Sequence, residues 1–281
     1  MRQLENVTCP LCHSVDSELW ATENGFNCVR CLSCALLYVT PRPQTDAIDK
    51  AVQLGSHRFE DGSELDTRAK RGATKEKSQA RVIRVLFRED LRKQDPLRWL
   101  DVGAGYGEFV GMLQCVLPKA SVVEGIEPMA HKARAAAAMG IPVRQGYLAT
   151  VSEQFDVVSL IDVFSHIPDF RAFLRDIKRV LRQNGTLLLK TGNASEIGDR
   201  RLFPGPLNLP DHLVLGGTPQ LTRFLSEAGF EFVAIHSQRI DGIWYSLKNL
   251  IKWFVGKPVF LSIPYTSPTR TLWIRARLKG D

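Results

Sequence analysis

The sequence predicts an α/β fold, in which a doubly wound, parallel sheet follows a small cysteine-rich module. From residue 97 onward, apolar stretches of strand length alternate with segments of helical periodicity. Such alternation is typical of parallel strands joined by helical crossovers. Five of the six cysteines lie in the first 34 residues, in a segment too short to bury a core of its own.

Composition favours a folded protein of the cytoplasm. The 281 residues are 44% hydrophobic, which is enough for a full-sized core. No apolar run approaches the roughly 20 residues of a membrane span, and the opening residues lack the apolar stretch of a signal peptide. We therefore expect a cytoplasmic protein, in which clustered cysteines bind metal rather than form disulfides.

Three segments follow from the local composition. Residues 1–43 form the cysteine-rich module and end at a proline-rich boundary, TPRPQT. Residues 44–73 are polar and weakly patterned, so we expect a linker with one short helix. Residues 74–281 form the larger domain, and its first helix is predicted from Thr74 to Lys93, before Asp95-Pro96.

This first helix is predicted to be amphipathic and basic. Val82, Val85 and Leu86 share one side of it. Another side carries a row of arginines, namely Arg81, Arg84, Arg88 and Arg92. The row would suit the phosphates of a nucleotide-linked or lipid-linked acceptor, although a solvated face is its commoner meaning.

The larger domain contains seven predicted strands. They cover residues 97–103, 120–127, 141–146, 155–162, 185–192, 230–237 and 270–279. Helices are predicted at 108–116, 130–139, 169–182 and 219–228. The Asn184-Gly185 pair marks a turn before the fifth strand. The last third of the chain departs from strict alternation.

The stretch LDVGAGYGEF, from Leu100 to Phe109, predicts a ligand site between the first strand and its helix. Its glycines are spaced G-x-G-x-G, whereas a dinucleotide-binding loop reads G-x-G-x-x-G and holds a pyrophosphate. Asp101 at the strand end would repel a pyrophosphate and attract a cation. Glu127 ends the next strand, where a carboxylate can accept both ribose hydroxyls. An adenosyl cofactor with a sulfonium and an ammonium group fits this pattern best.

At this point the chain resembles the class I S-adenosylmethionine-dependent methyltransferases. The resemblance is carried by LDVGAGYGEF, GIEP, FDVVSLIDVFSHIPDF and VLRQNGTLLLKTGN, over roughly residues 75 to 281. It implies a Rossmann-like, seven-stranded sheet with a reversed final hairpin. The residues that it implies for the cofactor are Asp101, Gly103, Gly105 and Gly107 in the loop, Glu127 and Pro128 at the ribose, Gly146 and Tyr147 at the adenine, and Asp162 near the methyl group.

The cysteine-rich module is predicted to be a zinc ribbon. Its two knuckles, CPLC and CVRCLSC, supply four thiolates, but their spacing alone allows either Cys28 or Cys31 in the second pair. The stretch CLSCALLYVTPRP resembles the second knuckle of zinc ribbons that precede small-molecule methyltransferases. That resemblance favours Cys9, Cys12, Cys31 and Cys34 as ligands of a structural zinc ion, with Cys28 as the alternate.

Two histidines are candidate general bases. His166 follows the fourth strand, but the related quinone-pathway O-methyltransferases have a glutamate where this chain has Ser165, which argues against metal assistance. His212 lies in a long insertion after the fifth strand. With Asp211 it resembles the acid-histidine pair of these families, so we expect His212 to be the better candidate.

Residues 243–256 are predicted to form an amphipathic helix. One face carries Ile243, Leu247, Leu250, Ile251 and Phe254, with Trp244 beside them and Lys248 and Lys252 opposite. Such a helix is a hydrophobic lid, packs on the sheet, or makes peripheral contact with a membrane.

The expected function is methyl transfer to an oxygen or carbon of a small sugar-like, polyketide-like or quinone-like acceptor. The alternative is an RNA methyltransferase that binds RNA through the zinc ribbon and the basic helix. Nucleic acid is the less favoured partner, because IDVFSHIPD lacks the motif that stacks a flipped base and no aromatics interleave with the basic row. A non-catalytic scaffold is disfavoured by the intact glycine loop.

Overall fold

The structure is a computed structural model that describes residues 4–58, 64–66, 76–203, 205–239, 243–256 and 266–280, with the backbone alone for 243–246. The cysteine-rich module opens it with β1 (Leu4–Glu5), β2 (Ser17–Glu23), β3 (Phe26–Cys31), β4 (Leu37–Val39) and β5 (Arg42–Pro43). Strands β2, β3 and β4 form an antiparallel sheet, and β1 pairs with β5.

The segment predicted as a linker has more structure than one short helix. It contains helix α1 (Thr45–Leu54) and a hairpin of β6 (Ser56–Arg58) and β7 (Glu64–Asp66). Helix α1 buries Ile48 and Ala51, which explains why this polar segment is ordered. The rest of the predicted linker lies outside the described residues, and the domain boundaries stay predictions.

The larger domain follows the predicted alternation of helices and strands. In chain order its elements are α2 (Glu76–Leu86), α3 (Arg88–Lys93), β8 (Arg98–Val102), α4 (Glu108–Val116), β9 (Val122–Glu127), α5 (Ala130–Ala138), β10 (Val143–Gln145), β11 (Phe155–Ile161), α6 (Phe170–Val180), β12 (Leu181–Gly192), β13 (Val214–Leu215), α7 (Thr218–Glu227), β14 (Phe230–Arg239), α8 (Ile243–Phe254) and β15 (Arg270–Leu278).

Seven of these strands form the central sheet, in the order β10-β9-β8-β11-β12-β15-β14. Neighbours from β10 to β12 run parallel, and β15 lies antiparallel to both β12 and β14. The predicted doubly wound α/β sheet with a reversed final hairpin is therefore confirmed. Apolar side chains of β8, β11 and β12 are buried on both faces, as expected for central parallel strands.

Two hydrophobic clusters cover the two faces of the sheet. One cluster joins Trp99 and Trp273 of the sheet to residues of α2, α4 and α5. The other joins the opposite face to α6, α7 and the cysteine-rich module, including Cys9 and Cys31. The module thus packs into the core of the domain rather than standing apart from it.

The single helix predicted for residues 74–93 is wrong in two respects. It is broken at Phe87, whose φ of −113° and ψ of 25° are not helical, although α3 ends at Lys93 as predicted, before the left-handed C-cap Gln94. Val85 is exposed, and Ile83 takes its place in the core beside Val82. The arginine row lies on the exposed side, as predicted.

Helix α8 is present as predicted, but its apolar face does not pack on the sheet. Leu247, Leu250, Ile251 and Phe254 are all exposed, whereas Asn249 on the opposite side is buried. The side chains of Ile243 and Trp244 lie outside the described residues. Within the described ranges, no helix is long and apolar enough to cross a membrane.

Candidate active site

A glycine-rich loop joins β8 to α4 at the carboxyl edge of the sheet. Gly103, Gly105 and Gly107 have φ values of 72°, 58° and 80°, in the left-handed region that glycine adopts without a steric penalty. A Cβ at Gly103 would lie 2.6 Å from Val163, and one at Gly107 would lie 2.7 Å from Ile141. A Cβ at Gly105 would meet no atom within 4 Å. The outer glycines therefore permit close packing, and the middle one leaves its backbone open to a ligand.

Glu127 ends β9 beside this loop. Its Oε2 accepts a 2.8 Å hydrogen bond from the N–H of Gly105, and its Oε1 accepts a 2.9 Å bond from the N–H of Met129. Each carboxylate oxygen has a further lone pair. The buried carboxylate can therefore hold the loop and still accept hydroxyl groups from a ribose.

Asp101 lies below the loop instead of lining the site. Its side chain is 1% exposed and accepts a 2.5 Å hydrogen bond from the hydroxyl of Ser159 on β11. Burial raises the pKa of Asp101 to about 7. The hydrogen bond from Ser159 lowers this pKa in part, and the negative charge of Glu127 raises it further. A cation bound above the loop would favour the ionised form of this carboxyl.

Three adjoining cavities open at the carboxyl ends of the strands. The central cavity has a volume of about 560 Å³, and its lining includes five predicted cofactor residues: Gly103, Gly105, Glu127, Pro128 and Asp162. The side cavity, of about 320 Å³, is lined by Gly146 and Tyr147 together with mostly apolar groups. The rear cavity has about 250 Å³. Gly107, the N-cap of α4, lines none of the three.

Asp162 lies where the central and rear cavities meet. It follows β11 with a φ of 60°, which is strained for a residue that is not glycine. Its carboxylate accepts a hydrogen bond from Nζ of Lys190, a buried residue of β12. Lys190 was not predicted as a site residue, because a single lysine within an apolar strand gives no signal of its partner.

Four titratable side chains form a cluster beside the central cavity, and three of them, His166, Asp211 and His212, line it. Asp211 lies between two histidines, with Oδ1 3.4 Å from Nε2 of His57 and Oδ2 3.4 Å from Nδ1 of His166. His166 also lies 3.0 Å from the backbone oxygen of Asp211 through the same nitrogen. The rings of His166 and His212 make an edge contact, with centroids 4.8 Å apart. The sequence predicted three members of this cluster and missed His57.

The pKa values of the two predicted bases are shifted in opposite directions. Burial and repulsion from His166 lower the pKa of His212 to about 4. Burial acts the same way on His166, but its bonds to Asp211 outweigh this and raise the pKa of His166. Despite its own burial, Asp211 has a lowered pKa because both neighbouring histidines favour the carboxylate. At neutral pH His212 is therefore neutral, and contact with Asp211 favours the protonated form of His166.

The rear cavity extends the site away from the glycine loop. It shares Asp162, His166 and His212 with the central cavity. The remaining lining mixes small and apolar residues with few polar ones, including Thr191, Phe203, Leu207, Leu215 and Gly216. An acceptor molecule in this space would lie against both histidines.

The cysteine-rich module holds the loop that carries His212. The carboxylate of Glu23 on β2 accepts hydrogen bonds from the N–H groups of Leu207, Asn208 and Leu209, at 2.8, 2.6 and 3.3 Å. Directly after His212, β13 pairs antiparallel with β4 of the module. The position of His212 thus depends on contacts from both sides of its loop to the module.

Four cysteines of the module meet at one point. The sulfur atoms of Cys9, Cys12, Cys31 and Cys34 all lie within 4.8 Å of one another. Cys28 lies outside this group, in a separate hydrophobic cluster, and burial raises the pKa of its thiol to about 12.

The two knuckles have the same backbone geometry. The N–H of His13 donates to the oxygen of Cys9 at 2.9 Å, and the N–H of Ala35 donates to the oxygen of Cys31 at 2.9 Å. His13 and Ala35, which follow the second cysteine of each pair, both have positive φ. Two equivalent turns therefore present four thiols to a common centre, which is the donor set of a closed zinc site.

The sheet order, the glycine loop and the acidic end of β9 together define a class I S-adenosylmethionine-dependent methyltransferase. A family model described as a methyltransferase domain matches residues 73–235, more than half of the chain, and the chain belongs to this family. The central and side cavities have the size of ordinary small-molecule sites, so the residues present fit the cofactor.

Two curated relatives are ubiquinone biosynthesis O-methyltransferases. The relative from Parvibaculum lavamentivorans is 32% identical over 109 residues, which are 37% of this chain and 43% of that protein. The relative from Dinoroseobacter shibae is 29% identical over 168 residues, which are 54% of this chain and 68% of that protein. The match thus spans less than half the length of the first relative.

Solved structures show the same fold at low identity. The YcgJ protein of Bacillus subtilis is 14% identical, with a TM-score of 0.50 over 73% of this chain and 100% of that one. The [4+2]-cyclase SpnF is 16% identical, with a TM-score of 0.52 over 84% of this chain and 93% of that one. Because one of these neighbours is a cyclase by name, the fold alone does not determine the reaction.

Proposed function

We propose that the protein transfers a methyl group from S-adenosylmethionine to an oxygen or carbon atom of a small molecule in the rear cavity. The observation that carries this proposal is the neutral, half-buried His212, which is shared by the central and rear cavities. The names of the two curated relatives support oxygen as the acceptor atom. The small volume of the rear cavity supports a compact, ring-sized acceptor group.

Different residues of the chain bind the cofactor and accept the proton. The glycine loop and Glu127 hold the nucleoside, and Gly146 and Tyr147 flank its base. The bound sulfonium supplies an activated methyl group. With the acceptor oxygen held in line with that methyl group, His212 would accept the proton that the acceptor hydroxyl loses as the methyl group is transferred.

Asp211 and its two histidines act by positioning. The carboxylate favours a proton on His166, and burial together with repulsion from His166 keeps His212 neutral and ready to accept one. His57 ties the hairpin after α1 to the same carboxylate, so that this hairpin covers the central cavity.

We also propose that Cys9, Cys12, Cys31 and Cys34 bind one structural zinc ion. All four donors come from the protein, so no position is left for substrate and the ion contributes stability without chemistry. Cys31→Ser should lose zinc, measured by metal analysis of the purified protein. Cys28→Ser is the matched control and should keep one zinc per chain.

The catalytic proposal is tested by His212→Ala. We expect unchanged binding of S-adenosylmethionine in calorimetry and transfer slowed by roughly a hundredfold or more, the effect typical of a lost general base. His236→Ala, which changes a histidine of β14 outside the three cavities, is the control. Unchanged transfer by His212→Ala would remove His212 from the mechanism.

A further inference from the structure

Helix α8 presents an apolar surface to solvent. Six large hydrophobic side chains that are at least two-fifths exposed fall within nine residues: Leu247, Leu250, Ile251, Trp253, Phe254 and Val255. No other stretch of the described chain concentrates as many. Burial of large apolar side chains away from water is favourable, so this surface has a strong tendency to be covered.

The helix is oriented with its apolar face outward. Leu247, Leu250, Ile251 and Phe254 recur at helical spacing and share one face, while Asn249 on the opposite side is buried against the protein. Phe254 is the most exposed of them, at 73%. The face lines none of the three cavities at the active site, so it is not part of that site.

The charge of the helix identifies the partner, because its lysines lie on the side away from the apolar face and have long side chains that can extend toward a membrane surface. Lys248 and Lys252 lie one turn apart on the same side of the helix, and residues 243–256 contain no Asp or Glu. The whole chain carries a formal charge of +7. An apolar face accompanied by lysines is typical of helices that lie in the interface of an anionic bilayer.

The dimensions exclude two other arrangements. Twelve residues of helix are about 18 Å long, too short for a hydrocarbon core of roughly 30 Å, so the helix cannot span it. A face of this length and about 10 Å in width offers far less than the roughly 800 Å² per partner of a stable dimer.

We propose that α8 docks the protein on an anionic lipid bilayer, with Leu250, Ile251 and Phe254 inserted at the level of the headgroups. Lys248 and Lys252 then contact lipid phosphates. Docking brings the protein to a surface where acceptors with an apolar tail are concentrated, but it does not depend on the proposed methyl transfer.

Co-sedimentation with vesicles tests this docking. The full-length protein is mixed with vesicles of phosphatidylcholine alone or with 30% phosphatidylglycerol, at 0.15 M salt. We expect binding to the anionic vesicles that is at least tenfold tighter than to the neutral ones. Binding should weaken as salt is raised, because the electrostatic part is screened.

Two double variants separate the apolar and the charged contributions. Ile251→Ser with Phe254→Ser should weaken binding to the anionic vesicles by more than tenfold, because it removes two inserted side chains. Lys248→Gln with Lys252→Gln should weaken it by roughly fivefold for each lysine. Val85→Ser and Lys119→Gln change exposed residues elsewhere and should have no effect.

The proposal is overturned if the wild type ignores anionic vesicles, or if the α8 variants bind as well as the controls. It is also overturned if light scattering shows a dimer that the Ile251→Ser and Phe254→Ser variant dissociates, since a second copy would then cover the face. Calorimetry with S-adenosylmethionine confirms that each variant is folded, and it is unaffected by whether docking occurs.

Discussion

Replacement of Glu23 by alanine should release the loop that carries His212. The Glu23 carboxylate accepts three backbone N–H groups of this loop, and no other charged side chain contacts those groups among the described residues. A hydrogen bond to a charged group contributes about 1.5–3 kcal/mol, and partial exposure and competing water reduce the sum of three. We expect the free energy of loop opening to fall by about 2 kcal/mol.

This free energy can be read directly from amide hydrogen exchange. A change of about 2 kcal/mol corresponds to exchange roughly thirtyfold faster at Leu207, Asn208 and Leu209. In the opened loop His212 becomes hydrated, so its pKa should rise from about 4 toward the ordinary value for histidine. Histidine NMR as a function of pH measures this second effect.

Two variants control the measurement. Glu23→Gln keeps one oxygen acceptor without the charge and should give an intermediate increase in exchange. Glu18→Ala removes an exposed glutamate of the same strand and should leave exchange at 207–209 unchanged. Equal exchange in Glu23→Ala and Glu18→Ala would refute the claim that the module positions the loop that carries His212.

Three further predictions concern charge and metal. Between pH 6.5 and 4, His212 binds a proton in the unfolded state but not in the folded state, because its pKa is lowered to about 4 in the folded protein. The free energy of unfolding should therefore fall by about 3 kcal/mol more in the wild type than in His212→Asn over this range, as measured by urea unfolding. Binding of S-adenosylmethionine at pH 7 should release about half a proton from Asp101, because its pKa is about 7 and a bound cation favours the carboxylate. Calorimetry in two buffers of different ionisation enthalpy measures this release, and Asp101→Asn should release no proton. Equal proton release by the wild type and Asp101→Asn would contradict the raised pKa of Asp101. Removal of the proposed zinc ion by a chelator should slow methyl transfer more than it weakens cofactor binding. The reason is that β13 and Glu23 connect the module to the loop of His212 rather than to the glycine loop. Equal losses of methyl transfer and of cofactor binding would contradict this connection.

The sheet could be predicted because its signals are local. Alternating apolar segments fix the strands, and the closely spaced glycines fix the tight loop after β8, where Gly103 and Gly107 pack against Val163 and Ile141 and Gly105 stays open. The predicted boundaries of strands and turns differ from the structure where local signals conflict. Asn184-Gly185 was predicted as a turn, but the structure includes it in β12 as an irregularity of register, with Asn184 at a φ of 60°.

The contacts that complete the site could not be predicted, because they join distant parts of the chain. Glu23 and His57 reach the loop before His212 from more than 150 residues away, and neither stands in a recognisable motif. The burial of Asp101 depends on Ser159, which lies beside it on the neighbouring strand β11. The alternation of strands and helices in the sequence does not predict which residues of two strands lie side by side. Val85 has the spacing of a core residue but lies on the exposed side of α2.

The most direct test of the proposed function is transfer of a labelled methyl group. The purified protein, with S-adenosylmethionine labelled in its methyl group, is incubated with a small-molecule extract and separately with total RNA. We predict label in the small-molecule fraction for the wild type and its loss in His212→Ala, although that variant still binds the cofactor. Label in RNA alone, or no transfer by a wild type that binds the cofactor, would contradict the proposal.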